Sequence, residues 1–404
     1  MSVAEQITRI NNAKADIRQA IIDKGVDVDE SAKIDTYAEK IGEISGGGGE
    51  VISLDNFSVD ESGTLINNPS TVSLPSKVTG LGEYAIYNKF NKNPKVTSVD
   101  FRNLRTISND YAAQGAFNEC PELTSVNLSS LTEIDGQSSA QGMFYKNPKL
   151  ADVDLSSLTA IKGKYSAKEM FNYCSAIKEL DLSSLTKIGE ASGSSYCAQL
   201  MLASMDNLES VDISSLTEIR GDNSAANMFA ASNKLESISF DSLTTIAGSR
   251  AADSMFINCK GLKTVNMGAL TSVSTSNAAQ YIFGNCTALI SVDLSSLESA
   301  SANALSNAFA GCTQLTSMSF PSLSSVASSY VFSNAFKGCT ALTELRFSAL
   351  TESSFGTYKN QFNNMLSGVT GCTVHFPAAI QSRIETMTGY PSFGGTDTVV
   401  LFDL

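Results

Sequence analysis

Residues 115–134 read GAFNECPELTSVNLSSLTEI, residues 142–161 read GMFYKNPKLADVDLSSLTAI, and residues 169–188 read EMFNYCSAIKELDLSSLTKI. The recurrence decides the fold, because a fixed period of this length marks a stacked repeat. Anchored on Phe117, equivalent positions are Phe90, Phe144, Phe171, Leu202, Phe229, Phe256, Phe283, Phe309 and Phe336. The successive steps are 27, 27, 27, 31, 27, 27, 27, 26 and 27 residues. The long step carries its extra residues in GEASGSSYC (189–197), a Gly/Ser-rich loop.

Each copy follows one template, exemplified by Leu123, Val126, Leu128, Leu131 and Ile134. The Val-x-Leu alternation predicts a short strand buried on one face. The three-residue steps around it fit turns. A second apolar cluster, Ala140, Met143 and Phe144, has i, i+3, i+4 spacing and predicts a single helical or 3₁₀ turn on the opposite wall. One copy cannot bury its own apolar face, but a stack can. The predicted fold class is an α/β repeat: a leucine-rich-repeat solenoid of parallel strands with about ten copies.

The repeats resemble the BspA-like leucine-rich repeats of bacterial and microbial-eukaryote surface proteins, whose pattern is roughly L-P-x-x-V-T-x-I-G-x-Y-A-F-x-x-C-x-x-L. LPSKVTGLGEYAIYNKF (74–90) matches it closely, and later copies keep Leu-Thr-x-Ile and Phe-x-x-Cys but insert residues before the Phe. The resemblance covers about residues 72–376. It implies a scaffold for adhesion and partner binding with no shared chemistry.

The ends differ in composition. Ser2 and Glu5 form a capping box, and Ile7, Ile10, Ile17 and Ile21 lie on one helical stripe closed by Lys24-Gly25. Ile34, Tyr37, Ile41 and Ile44 mark a second short helix. The stripes suit either homo-oligomerisation in a bundle or packing of the two helices as a hairpin. Residues 1–44 are therefore read as an anchoring or oligomerisation module and 45–49 (SGGGG) as a flexible linker. Residues 50–83 are read as a β cap with the first repeat, 84–376 as the solenoid and 377–404 as a helix–strand cap. AKADIRQAIIDKGVDVDESAKIDTYAEKIGEI (13–44) resembles a segment at the start of tailed-phage structural and tail proteins. CTVHFPAAIQSRIETMTGYPSFGGTDTVVLFDL (372–404) resembles closing segments of phage-encoded repeat proteins.

The 404 residues carry 28 Lys+Arg against 41 Asp+Glu, a net charge of −13 that argues against a nucleic-acid partner. No apolar run approaches ~18–20 residues, so no membrane insertion is expected. The first twenty residues hold no apolar signal core, so export by the ordinary secretory route is not expected either. A single histidine, His375, excludes a multi-histidine metal site.

Three columns invite functional readings. Cys120, Cys174, Cys259, Cys286, Cys312 and Cys339 sit three residues after an anchor, where other copies hold Asn93, Asn147, Met205 and Ser232. That exchange suits a small packing slot better than ligands, and neither Cys197 nor Cys372 has a C-x-x-C partner. Asp154, Asp181 and Asp212 fall where the strand points outward, and at ~4.8 Å per strand they would form a like-charge ladder. A solvated negative face is the plainer reading of it; a calcium-like cation is the sharper one. A variable column six residues before the anchors includes Tyr111, Tyr165, Tyr196 and Tyr330 and reads as a partly exposed edge. Tyr suits contacts with proteins and sugars, though plain rim decoration is the alternative. These seven residues form the candidate partner-binding surface. No catalytic residue, cofactor or resident metal is expected, since Gly46–Gly49 lacks phosphate-loop context and His375 has no nucleophile motif.

The expected function is therefore that of a non-enzymatic structural protein of a phage virion, a tail fibre or appendage presenting a repeat surface for host attachment. Its expected partners are other virion proteins through residues 1–44 and a host cell-surface protein or glycan. The expected location is the virion, assembled in the host cytoplasm. The alternative is a bacterial BspA-like surface adhesin.

Overall fold

A computed structural model describes residues 50–52, 70–74, 78–190 and 193–404. The helical module predicted over 1–44 and the 45–49 linker lie outside the described residues, as does most of the 50–71 segment.

The coils up to Ser299–Ala300 repeat one path, seen in the coil that begins at Ser125, whereas in the coil of Glu344–Arg346 the 3₁₀ turn Glu352–Phe355 stands in place of the second strand. Strand Ser125–Asn127 buries Val126 and leaves its two neighbours half-buried. A turn through buried Leu128 and Leu131 leads to strand Glu133–Ile134, which buries Ile134. The chain then crosses a third wall and returns. Strands of the first wall pair in parallel, Ser125–Asn127 with Ser98–Asp100 on one side and Asp152–Asp154 on the other. Second-wall strands form one ten-stranded sheet from Glu50–Ile52 to Ser299–Ala300. The first wall is instead divided into sheets of four, two, three and four strands. Its two-stranded piece, Glu179–Asp181 with Ser210–Asp212, spans the long step. At Gly189 (φ +76°) a Cβ would stand 1.8 Å from the Arg220 carbonyl oxygen, so only glycine lets the two coils approach there.

The fold class is the predicted one: parallel strands at a 27-residue spacing. The third wall departs from the expected helical turn, because it is built of consecutive β-turns. Between Tyr111 and Glu119, alternate N–H groups (Tyr111, Ala113, Gly115, Phe117, Glu119) donate to carbonyls of the next coil. The intervening ones (Ala112, Gln114, Ala116, Asn118) donate three residues back within their own coil. Tyr111, Gly115 and Glu119 all have positive φ, so a left-handed residue recurs every fourth position. The turns closed by the Ala112 and Ala116 N–H groups hold it at their third residue, where a type II turn requires it. Pairs of inward residues between them (Ala112 and Ala113, Ala116 and Phe117) reach the core.

The core is one column-like cluster. Phe90, Phe117, Phe144 and Phe171 stack at 4.9, 5.6 and 5.3 Å, with interplanar angles of 12° or less. Leu202 interrupts the pile, which resumes as Phe229, Phe256, Phe283, Phe309 and Phe336 at 5.1 to 5.6 Å. All are buried, as the period predicts. Such stacks add to area burial by ~0.5–1.5 kcal/mol per pair.

At the C-terminus, Pro377 opens the 3₁₀ turn Ala378–Ile380, followed by the five-residue helix Gln381–Glu385. Strand Val399–Phe402 then pairs in parallel with Thr373–Phe376. Buried Ile384, Met387 and Phe393 join the core beneath this segment. Arg383 ties it down by donating to the Gly356 and Tyr358 carbonyls at 3.0 and 2.6 Å.

Candidate recognition surfaces

The acidic column lies on the first wall. Asp181 and Asp212 are register partners, whereas Asp154 pairs with Asn127 and belongs to a different hydrogen-bonded sheet. What these side chains do locally explains the column. Asp154 Oδ1 accepts from the N–H and hydroxyl of Ser156 at 3.1 and 2.7 Å, and Asp212 does the same with Ser214 at 3.1 and 2.7 Å. Asp181 accepts from Ser183 N–H at 2.9 Å, and hydrogen bonding by the Ser183 side chain, then by its N–H, lowers its carboxyl below the usual range. Asn127 and Asp293 repeat the motif with Ser129 and Ser295. Asp and Asn alternate because both make the Asx turn that leads the chain out of the strand. Among the described residues no group of three or more His, Cys, Asp or Glu side chains is placed to hold a metal ion.

Further along, the first wall bounds an open groove of about 870 Å³ whose floor includes Ser237, Ser239, Thr264, Asn266, Asp293 and Ser317. At its far end His375 is buried rather than presented on an outward face. Its Nδ1 lies 2.8 Å from Asp403 Oδ1 and its Nε2 lies 3.3 Å from Glu344 Oε1. The Asp403 contact pins the last residues to the strand Thr373–Phe376.

The tyrosine column lies on the turn wall, and every member is left-handed: Tyr84, Tyr111, Ser138, Tyr165, Tyr196, Asn223, Arg250, Asn277, Asn303 and Tyr330 all have φ between 53° and 60°. Tyr84 and Tyr111 stack at 5.2 Å, and the Tyr111 hydroxyl accepts from Gln137. Tyr165 and Tyr196 stack at 5.0 Å. Tyr111, Tyr165 and Tyr196 are half-buried, and Tyr330 is exposed near the far end. The structure thus separates the candidate residues into two groups, Asp154, Asp181 and Asp212 on one wall and the tyrosines on another.

The cysteine column is a column of donors. The thiols of Cys120, Cys174, Cys259, Cys286 and Cys339 each donate at 3.0 Å to the anchor Phe carbonyl of the preceding coil. Asn147 Nδ2 donates to the Phe117 carbonyl at 2.9 Å and Ser232 Oγ to that of Leu202 at 3.1 Å. Cys, Asn and Ser exchange because each supplies a small buried donor. All eight cysteines are free and buried, and burial pushes the Cys174, Cys259 and Cys339 thiols up to about 12. A second ladder was not anticipated. The hydroxyls of Thr132, Thr159, Thr186, Thr217, Thr244 and Thr271 each donate to a carbonyl of the coil before, at 2.8 to 3.2 Å. The Leu-Thr-x-Ile recurring at 131–134, 158–161, 185–188, 216–219 and 243–246 was its signal.

Three-walled coils stacked in parallel, with a leucine-lined first turn and a Phe column, define a leucine-rich-repeat solenoid. A family model for the BspA type leucine rich repeat region (6 copies) matches residues 65–166, 87–220, 183–278 and 223–367. The chain belongs to the BspA-type leucine-rich-repeat family. No curated protein sequence matches it. Among solved structures it is similar to a leucine-rich repeat protein of Bacteroides ovatus ATCC 8483, at 20% identity over 82% of this chain and 83% of that one, TM-score 0.40. It is also similar to a leucine rich cell surface protein of Faecalibacterium prausnitzii A2-165, at 16% identity over 85% and 92%, TM-score 0.29. The pneumococcal vaccine antigen PcpA is similar at 16% identity over 88% and 84%, TM-score 0.39.

Proposed function

We propose that this chain is a non-enzymatic recognition protein of a tailed-phage virion, a tail fibre or appendage. Residues 1–44 attach it to other virion proteins, and the solenoid is presented to a host cell-surface protein or glycan. The observation that carries the recognition role is a rigid, continuously cored stack with two extended faces of opposite character: a Ser/Asx first wall and a tyrosine-studded turn wall. A stack of this kind offers area and regularity to a partner rather than an enclosed site for chemistry. The resemblance of residues 13–44 and 372–404 to phage segments supports the virion assignment.

A second reading, a bacterial surface adhesin, is favoured by the family match over residues 65–367. The two separate on one experiment, antibody labelling of purified particles and of uninfected cells. Labelled particles, with incorporation lost on deleting residues 1–44, support the virion reading. Unlabelled particles with labelled cell envelopes overturn it in favour of the adhesin.

A further inference from the structure

The turn wall of the coils between Tyr145 and Tyr196 brings tyrosine rings and lysines together. Tyr165 stacks on Tyr196, with Lys164 Nζ 5.3 Å and Lys168 Nζ 5.6 Å from the Tyr165 ring centre. Eight residues on, Tyr173 meets Tyr145 edge-on at 5.8 Å, and Lys146 Nζ lies 5.0 Å from the Tyr145 ring and 5.9 Å from that of Tyr173. One coil's turn ribbon, residues 165–173, therefore carries a Tyr/Lys cluster at each end. Tyr173 is 46% exposed, and Lys146 and Lys164 are exposed. Among the described residues neither of these two lysines is in an ion pair, while Lys168 meets Glu169 at 3.6 Å. Three lysines stand against Glu169 in this patch, and Glu119 of the coil before is held by Lys92 at 3.7 Å, so the patch is positive in a chain of net charge −13. The first wall of the same coils is negative, carrying Asp152, Asp154, Glu179, Asp181 and Asp212.

We infer that this patch binds an acidic polysaccharide, a polymer of uronic or similarly charged sugars, lying along the turn wall. The inference rests on the recognition role proposed above and names its ligand chemistry. Lysines held over aromatic rings are positioned for sugar carboxylates, and tyrosine rings and hydroxyls suit the apolar faces and hydroxyls of sugars. An extended peptide is disfavoured, because the ribbon's alternating N–H groups are already spent between coils or within the turns, leaving no main-chain ladder to extend. Duplex DNA, with one charge per ~1.7 Å, is repelled by the acidic remainder of the chain; a polyuronate, with one charge per sugar, meets the patch on better terms.

The test uses the full chain against immobilised polygalacturonate, neutral dextran and single-stranded oligo-dT. Lys146→Gln/Lys164→Gln/Lys168→Gln removes the charge. Tyr165→Asn/Tyr196→Asn removes the rings while keeping residues that this left-handed column already accepts at Asn223, Asn277 and Asn303. Salt-sensitive binding to polygalacturonate alone, weakened at least ~tenfold by either set, is expected. Binding no better than to dextran, binding of oligo-dT as tight, or full retention by the Tyr variant overturns the inference. Should the chain bind host cells yet not the polyuronate, this assignment falls while the recognition role stands.

Discussion

The Cys259 thiol donates a 3.0 Å hydrogen bond to the carbonyl oxygen of Phe229, one coil earlier. The same carbonyl already accepts the Ser232 N–H at 3.2 Å, so the thiol adds a second bond to a satisfied group. Replacement by Ser, which plays this part at Ser232, should change stability by less than ~1 kcal/mol in denaturant titration. A loss above ~2 kcal/mol would show that sulfur packing, not donation, governs the column. Thiol counting should find eight groups protected in the native chain and eight reactive once it is unfolded; paired disulfides would contradict this.

Burial also gives the thiols a pH signature. Cys174 and Cys259 are pushed up to about 12 from 9.0. Above pH 9 the unfolded chain releases protons that the folded chain retains. Stability is therefore full below about pH 9 and falls as pH rises toward 12, by up to ~1.4 kcal/mol per pH unit for each thiol. Urea midpoints between pH 8 and 10.5 should decline, and decline less in Cys174→Ser/Cys259→Ser. Equal slopes in the two proteins would contradict the assignment.

Phe229 stacks on Phe256 at 5.2 Å with rings 3° from parallel, and both are fully buried. Phe229→Ala should cost ~3–5 kcal/mol, since coils on both sides hold the cavity open. A loss below ~1 kcal/mol would remove this column from the core.

The turn wall makes an unusual demand at Arg250, an exposed residue with φ 56°. Arg250→Gly should leave stability unchanged or raise it, whereas Arg250→Val should lower it by ~1–2 kcal/mol. Were this wall helical, Gly would instead cost ~1 kcal/mol relative to a good helix former. Thermal melts of the two variants distinguish these cases.

The repeat period, the buried Phe column and the parallel stack were legible because they depend on side-chain hydrophobicity recurring at a fixed step. The third wall was not. Ala140, Met143 and Phe144 show helical spacing, yet inward pairs four residues apart serve a run of β-turns equally well. The distinguishing signal was Asn and Gly at four-residue intervals, as in Asn303, Asn307 and Gly311, all left-handed in the structure. The Asp column was recognised as outward-facing. Its turn-forming role was hidden because a carboxylate that accepts an N–H two residues on looks, in sequence, like any exposed acid. The burial of His375 depends on Asp403 returning from the last strand, a contact that local patterning does not encode.

Binding of the fluorescently labelled full chain to intact host cells tests the recognition role most directly. The account predicts saturable, specific binding that unlabelled chain competes away and that Tyr165→Asn/Tyr196→Asn weakens without lowering the melting temperature by more than a few degrees. Binding that is non-saturable, or saturable binding that survives on residues 1–44 alone, would contradict a recognition surface on the solenoid.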